Sequence, residues 1–137
     1  IPTPSVLEPD ASAIPATYSY KPSSEHHFVF VFNKMESRTM GVKAGLADFN
    51  TFNFNSQNLS VSINMLKPDF GIILVKTFPS ASHAKIYMNA VRANKLLLKE
   101  FKPEEYQLML ISADNLKKLH KDKDADAYMK FYKANYK

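Results

Sequence analysis

The chain has 137 residues, 45% hydrophobic and 23% charged, which suits one globular domain with a real core and excludes a disordered or fibrous chain. It holds no cysteine, which excludes disulfides and thiolate chemistry. The formal net charge of +5 is uneven: residues 1–25 carry one Lys against Glu8, Asp10 and Glu25, leaving 17 basic against 10 acidic residues beyond; such a surface suits nucleic acid, anionic head groups or acidic protein, and equally a plain solvated lysine-rich shell.

Residues 1–24 hold Pro2, Pro4, Pro9, Pro15 and Pro22 among Ser, Ala and Thr, with no apolar period. That composition reads as an extended linker, with a domain from residue 25 to 137. A leading linker raises the expectation that this is the C-terminal domain of a longer protein. Neither a basic n-region with an apolar run nor a long apolar stretch is present, so no signal peptide or membrane span is expected.

The elements follow in order. His26–Phe32 is apolar on both faces and rich in β-formers, the mark of a central strand. Val42, Gly45, Leu46 and Phe49 stand at i, i+3, i+4 and i+7 and predict a helix, with Gly45 allowing close approach to the sheet. Leu59–Met65 alternates strictly and predicts an edge strand. Lys67-Pro68-Asp69-Phe70-Gly71 supplies a turn, with Gly71 admitting positive φ.

Ile72–Val75 is again apolar throughout and central. Ser80 or Ser82 caps a second helix whose core face is Ala84, Tyr87, Met88, Val91 and Leu98, broken at Lys102-Pro103. Tyr106–Ile111 is the fourth strand. The fold class is therefore α+β: a ferredoxin-like β-α-β-β-α-β antiparallel sheet with two additional C-terminal helices. Two helices on one side leave the other sheet face bare. Leu116 and Leu119 in one short helix, then Tyr128, Phe131, Tyr132 and Tyr136 in the next, are expected to cover that face or the edge of the fourth strand.

Candidate chemistry fails at each point. Asp122-Lys123-Asp124-Ala125-Asp126 opens like a calcium loop, but Ala127 and Lys133 occupy the positions that require Gly and a bidentate Glu. These aspartates are expected to cap the last helix instead. His26 and His27 are strand neighbours pointing to opposite faces, and His83 and His120 lie in or beside helices without Cys or paired carboxylates. Glycines at 41, 45 and 71 build no phosphate loop, no Ser sits in a nucleophile elbow, and Glu104-Glu105 reads as a solvated turn. No catalytic, cofactor-binding or metal-ligating residue is assigned, and no cofactor is expected. Asp69–Phe78 echoes the RNP1 strand of RNA-recognition motifs, yet Ile72 or Ile73 stands where a second stacking aromatic belongs and position 69 is acidic. No nucleic-acid partner is expected.

A set of phrases carries a likeness. Tyr18-Ser-Tyr-Lys-Pro-Ser-Ser-Glu-His-His-Phe-Val leads into the first strand, and Asp48-Phe-Asn closes the first helix. Val75-Lys-Thr-Phe78 precedes the second helix, which contains Ala84-x-x-Tyr87. Ile111-Ser-Ala-Asp-Asn-Leu116 and Lys123-Asp-Ala-Asp-Ala-Tyr-Met-Lys-Phe131 close the chain. From Tyr18 to Tyr136 this set resembles the C-terminal domain of Bacteroidota tetratricopeptide-repeat outer-membrane lipoproteins of type IX secretion and gliding motility. The resemblance implies a non-enzymatic protein-interaction domain of a periplasmic, outer-membrane-associated assembly. Its partners would be envelope proteins, and it would meet the membrane only through an anchor upstream. Phe78-x-x-x-x-x-Ala84 also resembles the strand-to-helix junction of SPOR domains, which implies peptidoglycan glycan binding as the alternative. RNA binding is the second alternative.

Overall fold

A computed structural model describes residues 18–136, so residues 1–17 of the linker expected over residues 1–24 lie outside the described residues. The elements are β1 (His26–Phe32), α1 (Ser37–Asn53), β2 (Ser60–Lys67), β3 (Phe70–Phe78), α2 (Ala81–Ala93), β4 (Gln107–Ser112), α3 (Ala113–Asp122) and α4 (Ala125–Asn135). Short 3₁₀ turns at Asn55–Gln57 and Pro103–Glu105 precede β2 and β4. The fold is α+β, a four-stranded antiparallel sheet with four helices, in the order β2-β3-β1-β4. The two strands that are apolar on both faces occupy the centre, and the alternating strand takes one edge.

Register assigns each strand's residues to two cores. Ile63, Ile73, Phe30 and Leu108 stand in one row across the four strands, on the face that α1 and α2 cover through Val42, Leu46, Ala84, Tyr87, Met88 and Val91. The next row, on the opposite face, runs Asn64, Ile72, Val31 and Gln107, apolar in the middle and polar at both ends. There Val29, Val31, Phe70, Ile72, Leu74, Met109 and Ile111 pack under Leu116 and Leu119 of α3 and Tyr128 of α4. The C-terminal tail is thus the second layer of the domain. Tyr128 is fully buried, while Phe131 and Tyr132 are half-buried.

Of segment 18–24, read as part of the linker, Tyr18 packs on this second core and the rest is tied to the domain through its backbone. Tyr18 is 6% exposed and meets Tyr128 edge-on at 5.0 Å. Asn115 accepts from the Ser19 N–H at 3.1 Å and donates to the Ser19 carbonyl at 2.8 Å, and the Ala81 N–H donates to the Pro22 carbonyl at 2.8 Å.

Three local expectations change. The second helix ends at Ala93, well before Leu98 and Phe101. Asn94 stops it, because its side-chain oxygen accepts from the Leu96 N–H at 3.2 Å and turns the chain, after which Leu98 and Phe101 enter the core from a loop. Gly45 faces that loop and not the sheet, since a Cβ there would stand 3.4 Å from Leu97 Cδ2, an ordinary contact. Among the described residues no glycine has positive φ. Gly71 is needed for space instead: it pairs with both Phe32 and Met65, and a Cβ would lie 2.5 Å from Met65 Sδ and 2.6 Å from the Phe32 ring.

Gly71→Ala should destabilise by about 1–3 kcal/mol, read from urea unfolding, because the buried Phe32 ring cannot retreat although Met65 can swing towards solvent. Tyr128→Ala should cost about 3–5 kcal/mol, and deletion of residues 123–137 should lower the melting temperature and expose a dye-binding apolar face. A deletion with an unchanged melting temperature would show that the tail is not a layer of the core.

Candidate functional site

Both sheet faces are closed, so the edges decide what the sheet can touch. The β4 edge is sealed. The Tyr128 hydroxyl donates to the Leu110 carbonyl at 2.6 Å, and the following residues wrap around the edge to the other layer. Tyr132 reaches Met88 of α2, with its hydroxyl 3.8 Å from Sδ, and stacks on Tyr136 at 4.9 Å. Tyr136 meets His26, its hydroxyl 2.7 Å from Nε2. The His26 Nδ1–H donates to the Ser24 carbonyl at 2.8 Å, so in the neutral ring Nε2 accepts from Tyr136. Burial holds the Tyr128 hydroxyl well above the ordinary range and Tyr136 up at about 12, so both stay protonated donors.

The β2 edge is treated in the opposite way. Among the described residues it pairs only with β3, and no described strand meets the outer row of its backbone N–H and C=O groups. From Ser60 to Leu66 it has no charge and no proline, the usual guards of an edge; a lysine and a register irregularity come only at its end. Beside it α1 carries a second stripe, Met40, Ala44, Ala47 and Thr51, next to its buried stripe of Thr39, Val42, Leu46 and Asn50. Between this stripe and the start of β2 lies a groove of about 560 Å³, its far wall made by Phe54, Asn55, Asn58 and Leu59 with Val61 of the strand. Asn50 lines it and is 5% exposed. Its Oδ1 accepts from the Tyr87 hydroxyl while its Nδ2 has no hydrogen-bond partner. The spacing i, i+4, i+7, i+11 of this second stripe was readable in the sequence; Asn50 was not, because a polar residue in an amphipathic helix carries no sign of its burial.

The other polar groups have structural duties. Arg38 donates through Nη1 and Nη2 to both oxygens of Glu105 at 2.9 and 3.0 Å, through Nε to Glu36 at 2.6 Å and through Nη1 to the Glu100 carbonyl at 2.9 Å. Its guanidinium also lies 4.1 Å over Phe101. Glu105 is therefore a clamp between α1 and the approach to β4, which corrects its reading as part of a solvated turn. The Arg38 hydrogen bonds hold its carboxyl down at about 2. Asp124 caps α4, accepting from the Ala127 N–H at 3.1 Å. His83 and His120 sit on α2 and α3, apart from the β1 pair. Among the described residues no three His, Asp or Glu side chains gather closely enough to hold a metal ion.

The sites that the alternatives need are occupied. On β3 the residues of the RNP1-like strand that face away from α1 and α2 are Phe70, Ile72 and Leu74, all under α3 and α4. An open sheet face for glycan is covered by the same helices. No protein-family model, no curated protein and no solved structure matches this chain.

His27 titrates in a way that can be measured. Burial, then the nearby Lys76 charge and His26, lower its pKa from 6.5 to about 4, and its Nδ1 has no partner. Burial lowers His26 in the same direction. Between pH 6.5 and 4 the unfolded chain binds a proton that the folded one refuses, so stability present above pH 6.5 is lost as pH falls towards 4. His27→Gln should lose less stability than the parent between pH 7 and 5 in urea titrations. Parallel pH curves for the two proteins would remove His27 from the acid response.

Proposed function

We propose that this chain is a non-enzymatic protein-interaction domain of a cell-envelope assembly of the type IX secretion kind, working in the periplasm beside the outer membrane. The observation that carries the protein-binding part is the asymmetry of the sheet: two closed faces, one sealed edge, and one open edge beside a groove. A module of this shape recognises by surface and backbone, since its titratable clusters are absorbed in capping and clamping. The envelope setting rests on the ordered phrases from Tyr18 to Tyr136 and their resemblance to the lipoprotein domain. In that setting the partners are envelope proteins, and any membrane attachment belongs to sequence upstream.

Immobilised protein exposed to a Bacteroidota envelope extract should retain a small set of envelope proteins at physiological salt. Retention of ribosomes and RNA alone, lost steeply with added salt, would overturn the proposal in favour of phosphate contacts. Co-sedimentation with purified peptidoglycan sacculi free of protein would move the assignment to glycan.

A further inference from the structure

We infer that the groove between α1 and β2 takes an extended acidic-apolar peptide segment of a partner protein, which pairs as a fifth strand on β2 and places an apolar side chain against α1. The inference rests on the protein-interaction reading and names its surface. Three independent features converge on it.

First, β2 is an edge of eight residues whose charge-free stretch leaves backbone groups available to another strand, while the fold spends a tyrosine hydroxyl and a helix on shielding β4. Second, the wall facing that edge is built for close approach. Ala44 and Ala47 are exposed on α1 between the larger Met40 and Phe54, which leaves a recess of side-chain size. Third, the polar groups around the recess favour an acceptor. Lys43 is the charged side chain lining the groove, and no acidic side chain lines it. A strand carrying Asp or Glu meets Lys43 favourably.

The same lysine argues against a second copy of this chain as the occupant. Two β2 edges paired about a two-fold axis put both α1 helices on one side of the joined sheet, flanking the axis. Each copy would bring its own Lys43 to the joined edge, like charge beside like charge, with no acidic side chain lining the groove to answer it.

A display library of random peptides, selected against the full chain, supplies the probe. The selected peptides, once synthesised, should combine apolar residues with Asp or Glu. In their complexes amide hydrogen exchange should slow along Ser60–Lys67 and not along β4. Ala44→Glu, which fills and reverses the recess at an exposed position, and Lys43→Glu should each weaken binding by about tenfold without lowering the melting temperature. Peptides that protect another surface, selections that yield no binder, or a concentration-dependent dimer protecting β2 would each overturn the inference. Envelope proteins retained equally by the parent and Ala44→Glu would also overturn it while leaving the interaction reading in place. A parent that retains none removes that reading itself.

Discussion

Everything in this domain depends on β1 and β3 being apolar on both faces. A sheet whose central strands bury Phe28, Phe30 and Phe32 on one side and Val29 and Val31 on the other cannot stop at two layers. The α1–α2 pair satisfies only the first side. The remainder of the chain is therefore committed in advance: α3 and α4 must return over the sheet, and the segment from Tyr18 must enter beside them. Residues 18–22 and 113–136 thus form one structural unit although they lie at opposite ends of the described chain. Asn115 joins them through two hydrogen bonds to the Ser19 backbone.

That commitment shapes the edges. Because α4 follows β4 after only α3, it lies where its aromatic side chains can cross the β4 edge. Tyr128 satisfies a β4 carbonyl, and Tyr132 and Tyr136 carry the packing round to α2 and to His26. Among the described residues no element performs the same service for β2, and that edge carries no charge between Ser60 and Leu66. An edge of that kind invites self-association unless something else pairs with it or shape prevents it, which is why the adjoining groove matters.

Much of the fold was legible because burial was written in two different periods. The bounds of β1, His26–Phe32, follow from an unbroken apolar run, and the edge position of β2 from its alternation. The α2 face, Ala84, Tyr87, Met88 and Val91, follows from the 3.6 period. The failures also have physical reasons. Leu98 continued the helical period by coincidence, while the end of α2 was decided by one Asn side chain competing for the backbone. Gly71 carried a local signature of a turn but answers to a tertiary demand, the Phe32 ring lying across it. Tyr18 sat among prolines, whose composition speaks of extension and not of the single aromatic that anchors it. The candidate groove was half legible: the Met40, Ala44, Ala47, Thr51 stripe could be counted, but its partner strand lies across a gap that only the register closes.

The second layer also bears on what kind of ligand this sheet can serve. An RNA- or glycan-binding sheet presents aromatic and polar groups to solvent, whereas the face under α3 and α4 is mostly aliphatic, with Val29, Val31, Ile72, Leu74, Met109 and Ile111 beside the buried Phe70. Aliphatic side chains offer no π-face to a base and no hydrogen bond to a sugar. A ligand reaching them would first have to lift the tail. That would return Leu116, Leu119 and Tyr128 to water at roughly 1.5–3 kcal/mol each, before any cost for stranding the Leu110 carbonyl. A micromolar ligand gains only about 8 kcal/mol in total, so most of its binding energy would go to displacing the domain's own helices. The edge asks for no such displacement. Its outer backbone groups meet no described strand. Recognition at β2 therefore needs the least rearrangement of any surface this sheet has, and for that reason the interaction reading centres on the edge and not on the face.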